Sequence, residues 1–230
     1  MDAEAHQEIS TFLSIRAEVT RAGVLSTAQQ YLRLFGSPTV QKAIEKTTFS
    51  LQSIRDGDPV SLYIIIPPNK LVSHQALFRL WVGALLSLFS SRTTIPKTNT
   101  LFIIDEAAQL GNLSLLRQAK TLLRGYGLQT WSFWQDLSQI KELYKTEWAT
   151  MVNNCAVLQL FGAKNYMVAQ EFAGMVGADA DEIRKLKADE QVLILNGEHP
   201  IQALRYDYLT DDAFNGLYDS NPLYDNFDDV

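Results

Sequence analysis

Leu101-Phe102-Ile103-Ile104-Asp105-Glu106 is the stretch on which the fold of this 230-residue chain turns. Four apolar residues end abruptly in two acids. A short apolar run bounded by turn residues predicts a strand buried on both faces. Carboxylates at its C-terminal lip fall where open parallel sheets bind their ligands. This is the pattern of a Walker B element. In that reading Asp105 holds Mg²⁺, directly or through water, and Glu106 polarises a water for attack on a γ-phosphate. A buried strand running into a polar loop that caps a helix gives the same letters, so the rest of the chain has to decide.

On either side, apolar runs alternate with helical patterns. Upstream, Asp56-Gly57-Asp58-Pro59 is a turn, and Val60 to Ile66 predicts a buried strand ended by Pro67-Pro68. A helix is predicted from about Ser73 to Ser90, and residues 92–99 form a loop into a strand over 100–105. Downstream, a helix from about Ser114 to Arg124 is closed by Gly125-Tyr126-Gly127. Leu128 to Trp134 is the next strand, and Asp136 caps a short helix to Tyr144. Glu147 to Asn153 is a further helical piece. Cys155 to Phe161 is a strand, Tyr166 to Val176 a helix ended by Gly177, and 181–186 a helical turn. Gln191–Leu195 and Pro200–Arg205 predict a hairpin around Asn196-Gly197. Strands alternating with helices of this length mean an α/β domain with a mostly parallel sheet.

Residues 1–47 read as helices. Apolar positions such as Ile9, Phe12, Leu13 and Val24, Ala28, Tyr31, Leu32, Phe35 recur at helical spacing. Ser37-Pro38 predicts a cap and first turn for a helix running to about Lys46. These helices expose too many apolar positions to stand alone. The domain organisation read from the sequence is thus a helical segment over 1–47, an α/β core over 48–208 and an acidic tail over 209–230.

Composition restricts the function classes. The net charge of −6 is unevenly placed: from Asp207 onward there are seven acids and no Lys or Arg, and the remaining 19 acids face 20 bases. The acidity therefore belongs to the tail and does not exclude a nucleic-acid partner, and no basic stripe argues for one. The single Cys155 excludes an intramolecular disulfide and reads as a small hydrophobe in a strand. His6, His74 and His199 have no metal-binding spacing. The most apolar helical stretch, Leu77 to Phe89, has 13 residues and includes Arg79, short of the roughly 20 that a membrane span needs.

Three predicted strands end in polar lips: Asp105-Glu106, Gln135, and Gly162-Ala163-Lys164-Asn165. In one parallel sheet these would gather around a crevice. There Gln135 suits sensing a γ-phosphate or orienting water, or it is a solvated cap residue. Arg124 ends the helix after the acidic loop. It is either a cation favourably placed at a helix C-terminus or an arginine finger reaching a neighbouring subunit.

These residues resemble the TraG/TraD-like coupling proteins of type IV secretion and bacterial conjugation. The resemblance covers about residues 48–178. It rests on Tyr63-Ile-Ile-Ile-Pro-Pro-Asn-Lys-Leu71, Leu101-Phe-Ile-Ile-Asp-Glu-Ala-Ala-Gln-Leu-Gly111, Arg124-Gly-Tyr-Gly127, Gln135-Asp-Leu-Ser-Gln-Ile140, and Trp148 to Val157 with Phe161-Gly162. The middle three blocks are specific in combination at these spacings. Residues 1–47 resemble, more loosely, the end of the family's all-helical domain.

The resemblance implies a RecA-like P-loop NTPase core, hexameric at the cytoplasmic face of the inner membrane. It implies ATP and Mg²⁺ as cofactors, and motor action on single-stranded DNA with its relaxase and on protein substrates entering a secretion channel. By matching position, Asp105 takes the Mg²⁺ role, Glu106 that of catalytic base, Gln135 that of sensor and Arg124 that of a finger in trans. The departure is the P-loop. The family's G-x-x-x-x-G-K-[ST], whose backbone N–H groups cradle the phosphates, is not found in these 230 residues. The sequence therefore reads as the C-terminal part of such a protein, an incomplete core expected to be inactive alone. In the family the P-loop strand would lie between Leu128–Trp134 and Cys155–Phe161. The expectation here is direct pairing of those two strands or an open slot between them.

Overall fold

The computed structural model describes residues 3–219 and divides into two units, Met1–Trp134 and Gln135–Val230. In the first unit the sequence opens with α1 (Ala3–Leu13), α2 (Glu18–Leu32) and α3 (Pro38–Ile44). Neither α1 nor α2 buries a residue, and Leu13, Val19 and Tyr31 face solvent. Pro38 occupies the first turn of α3 as expected, but the Ser37 hydroxyl makes no capping bond. A short α4 (Leu51–Asp56) is capped by the Ser50 hydroxyl accepting from the Ser53 N–H, and it closes on Gly57 in the left-handed region.

The predicted strand over Val60–Ile66 does not form. These residues are extended and Ile64 packs on the core, but none joins a ladder, and Tyr63 and Ile65 project into solvent. The alternation is that of a strand. What is missing is a neighbour, because a strand exists only through the backbone groups of another one.

The long helix α5 (Leu71–Ser90) is the spine of this unit. It exceeds the apolar run seen in the sequence: Pro68–Ser90, 23 residues at mean hydropathy 1.3, is long and apolar enough to cross a membrane by length and composition. Val82, Leu85, Leu86 and Phe89 instead lie at the centre of the core, with Ile104, Leu110, Leu116 and Leu128. That burial identifies its C-terminal half as a core helix.

The strands β1 (Thr100–Ile104) and β2 (Leu128–Ser132) pair in parallel, from Thr100 opposite Leu128 to Ile104 opposite Ser132. The crossover between them carries α6 (Ser114–Leu122), whose Leu116 and Ala119 are buried. The sheet is covered on one face only. Phe102, Ile104 and Leu128 turn to the helices, whereas Leu101, Ile103 and Trp131 face solvent. Burial of β1 on both faces, expected from its apolar run, is therefore not realised within this unit: none of its described residues supplies the second layer that parallel sheets ordinarily have.

The second unit begins with α7 (Leu137–Tyr144), where the Asp136 carboxylate accepts from the Gln139 N–H, and continues with α8 (Trp148–Asn153). Cys155 lies between α8 and the next strand rather than within it, its Sγ 3.3 Å from the Met151 carbonyl. That strand, β3 (Val157–Phe161), is followed by α9 (Tyr166–Val176), α10 (Ala180–Lys185), β4 (Glu190–Leu195) and β5 (Ile201–Leu204). The β4–β5 hairpin turns at Asn196-Gly197, both at positive φ as that pair favours. β4 also pairs antiparallel with β3. So β3 joins an antiparallel sheet of its own rather than extending the β1–β2 ladder. β2 and β3 do not pair with each other, and residues 3–47 contribute no strand. Leu160, Val192 and Ile194 pack against Ala169, Ala173 and Ile183 to make the core of this unit. Of the acidic tail, residues 220–230 lie outside the described residues.

Candidate functional site

The Asp105-Glu106 pair sits on the lip of β1 because the ladder continues past the strand ends. The Phe133 N–H donates to the Ile104 carbonyl at 2.9 Å, and the Ala107 N–H donates to the Phe133 carbonyl at 3.1 Å. The two acids occupy the turn that these bonds bracket. Ile104, Ala107 and Leu110 are buried around them, so the turn is anchored on both sides. Asp105 is exposed; Glu106 is partly buried, with its Oε1 shut off from solvent.

A 3-10 turn over Ala107–Leu110 follows and ends at Gly111, with φ 60° and ψ −159°. That conformation belongs to glycine, and a Cβ there would stand 3.0 Å from an Arg79 nitrogen. Two residues one turn apart on α5 hold this loop. Gln75 donates to the Gln109 carbonyl at 2.9 Å, and Arg79 donates to the carbonyls of Leu110 and of Asn112, the latter at 2.9 Å. Sequence reasoning did not single out this clamp. The i,i+4 spacing of Gln75 and Arg79 was the only available signal, and it does not say which loop lies opposite.

Arg124 lies at the other end of the sheet. It sits in a 3-10 turn over Leu123–Tyr126 that closes on Gly127 in the left-handed region and leads directly into β2. Since Thr100 and Leu128 are in register, Arg124 is at the N-terminal edge and Asp105 at the C-terminal edge. Five residues of strand at about 3.3 Å each separate the two edges by roughly 16 Å. The guanidinium is exposed. Within one chain the structure does not bring Arg124 to the acids.

Gln135 opens the second unit and is exposed, its N–H donating to the Gln139 side chain at 3.0 Å. The lip after β3, Gly162 to Asn165, belongs to the antiparallel sheet. The convergence of three lips on one parallel sheet is accordingly not made. The α/β register of the sequence could not exclude it, because which strands pair is decided by the β4–β5 hairpin returning along β3.

Mg²⁺ is held through one or two carboxylates together with substrate phosphates and waters, rather than by a cage of protein ligands. Asp105 fits that role: it is a solvent-open carboxylate on a fixed lip. Among the described residues no three His, Cys, Asp or Glu side chains gather, so these groups fit a cation that arrives with a nucleotide and not one bound alone.

Residues 2–180 match the family described as type IV secretory system conjugative DNA transfer. A conjugal transfer protein TraG from Escherichia coli is 26% identical over 191 residues, spanning 77% of this chain and 30% of that protein. The type IV secretion system-coupling protein VirD4 of Bartonella quintana is 21% identical over 225 residues, spanning 84% of this chain and 35% of its own length. The solved plasmid coupling protein TrwB in complex with the ATP analogue ADPNP superposes with a TM-score of 0.67 at 19% identity, over 83% of this chain and 50% of that one. TrwB has also been solved with ADP and Mg²⁺. The fold is thus the RecA-like one of these coupling proteins, and the chain spans about a third of the length of such curated relatives.

Proposed function

Because this chain belongs to the type IV secretory system conjugative DNA transfer family, we propose that it is the Walker B-bearing part of a coupling-protein motor. In that role it contributes half of an ATP site and acts on single-stranded DNA with its relaxase, and on protein substrates, at the cytoplasmic face of the inner membrane. Residues 1–47 are assigned to the end of a helical domain, 48–208 to the motor core and 209–230 to an acidic tail. The observation that carries this is the Asp105-Glu106 turn, fixed by ladder bonds on one side and by the Gln75–Arg79 clamp on the other.

Asp105 would hold Mg²⁺, which when bound neutralises charge on the β- and γ-phosphates. Glu106 would accept a proton from the attacking water. Its partly buried carboxylate suits that task. Gln135 is assigned to orienting the water. Arg124 is assigned to a neighbouring subunit's nucleotide. Its place at the opposite edge of the sheet supports action in trans, since a group about 16 Å away cannot serve its own acids. Head-to-tail association, in which one edge of a subunit meets the other edge of the next, is the arrangement that uses both.

The alternative is a module that binds coupling-protein subunits without turning over nucleotide. The two are separated by calorimetry with Mg·ATP and by hydrolysis assays, using the chain alone and mixed with a P-loop-bearing subunit of the family. The expected result is no hydrolysis alone and hydrolysis in the mixture, lost on Glu106→Gln. Binding to the subunit without any gain in hydrolysis would favour the module.

A further inference from the structure

We propose that Arg92 is the positioning residue for Arg124, and that with Pro96 it fixes the direction in which the Arg124 turn is presented to a neighbouring subunit. This rests on the assignment of Arg124 as a finger in trans.

Arg92 follows α5 and is 5% exposed. A guanidinium has five N–H donors in a rigid plane, and here three segments meet them. Nε donates to the Arg55 carbonyl at 2.6 Å, and Nη2 donates to the Ile54 carbonyl at 3.2 Å and to the Thr100 hydroxyl at 2.6 Å. Nη1 donates to the carbonyls of Tyr126 at 2.9 Å and of Gly127 at 3.3 Å. The plane also lies over the Phe89 ring at 4.8 Å. All five hydrogen-bond acceptors are neutral; the Asp56 carboxylate acts on the cation only through its charge. What it matches is a set of carbonyls at the ends of two helical turns, one of them the turn that carries Arg124.

Pro96 seals the same junction. A Cβ on Gly57 would stand 2.3 Å from Pro96 Cβ, and one on Gly127 would stand 2.7 Å from Pro96 Cδ. Both left-handed glycines therefore lie flush on one proline ring. The Thr100 N–H donates to the Gly127 carbonyl at 2.9 Å as well. The Arg124 turn is thus tied to the first residue of β1 by a backbone bond and through Arg92, and the far end of β1 bears Asp105. One strand then connects the finger that a subunit offers with the acids it uses itself. Lysine cannot substitute, because a point charge on a flexible stem does not span acceptors on three segments.

The test uses the full chain mixed with a P-loop-bearing subunit of the family whose own finger arginine is replaced by alanine, and reads kcat and KM for ATP. The wild-type chain raises kcat, and Arg124→Ala abolishes the rise. Arg92→Lys is expected to reduce the rise at least tenfold with KM unchanged. Thr100→Val removes one partner of Arg92 outside the turn and leaves the Thr100 N–H bond to Gly127; it is expected to lower thermal stability and to reduce the rise much less than Arg92→Lys does. Pro96→Ala, which keeps the cation and loosens the wedge, is expected to give an intermediate loss and serves if Arg92→Lys does not fold. A full rise with Arg92→Lys or with Pro96→Ala, or an equal loss with Thr100→Val, overturns the proposal and leaves the finger assignment standing. No rise with the wild-type chain, or a rise kept by Arg124→Ala, overturns the finger assignment and the proposal with it.

Discussion

Ile103 and Ile104 are neighbours in β1, yet alanine should cost about 1–4 kcal/mol more at Ile104 than at Ile103. Ile104 is 2% exposed and faces α5; Ile103 is 56% exposed on the uncovered face. Truncating a fully buried isoleucine costs roughly 2–5 kcal/mol, the transfer term plus the cavity. At Ile103 less than half the side chain leaves water on folding. The transfer term of about 1.5–3 kcal/mol for full burial therefore shrinks to about 1 kcal/mol, and no enclosed cavity is left behind. The loss of β-propensity, up to about 1 kcal/mol, applies to both positions and cancels in the comparison. Urea titration followed by tryptophan fluorescence reads mainly the first unit, which holds Trp81, Trp131 and Trp134 of the four tryptophans. With an m-value of about 1–2 kcal/mol/M for a unit of this size, the midpoint should fall roughly 0.5 M or more further for Ile104→Ala than for Ile103→Ala. Equal shifts would refute the one-sided sheet and require a layer over Leu101, Ile103 and Trp131.

Gly111→Ala should cost about 1–3 kcal/mol for the backbone region alone, with further loss from displacing Arg79, seen as faster hydrogen exchange at Gly111 and Asn112; an unchanged denaturation midpoint would contradict it. The Asp136 carboxyl is held below the ordinary carboxylate range, first by the Ser138 hydroxyl and then by the Gln139 N–H. A depressed folded-state pKa stabilises above the ordinary value near 3.9 and is lost as pH falls through the folded one, so protection of the Gln139 amide should drop below about pH 4 and lose that step in Asp136→Ala. At neutral pH the same substitution should cost about 1 kcal/mol. Arg124→Ala, at an exposed site, should change stability by less than about 0.5 kcal/mol; a larger loss by calorimetry would make it a structural residue.

Much of the local structure was legible. The capped start of α7 at Asp136, the Gly177 stop of α9, the Asn196-Gly197 hairpin and the acidic lip at Asp105-Glu106 all follow from side-chain and backbone preferences within a few residues, and such preferences are written locally. The Val60–Ile66 strand failed for the opposite reason. Its alternation is correct, but strand formation depends on a neighbour that no local pattern can report. The buried role of Arg92 was invisible too, because four of its five acceptors are backbone carbonyls, up to 38 residues away, and a carbonyl has no letter of its own.

The sequence by itself determined that β1 ends in two acids, that a glycine-closed turn bearing Arg124 precedes β2, and that the blocks belong together as in coupling proteins. Tertiary structure alone decided that Arg124 and Asp105 stand at opposite edges of one sheet, that β3 pairs in a different sheet, and that one face of β1–β2 is uncovered within its own unit. The reason is physical: capping, turn chemistry and apolar periodicity act along the chain, whereas strand pairing and layer closure act between segments, and only the folded backbone settles which edges and faces meet.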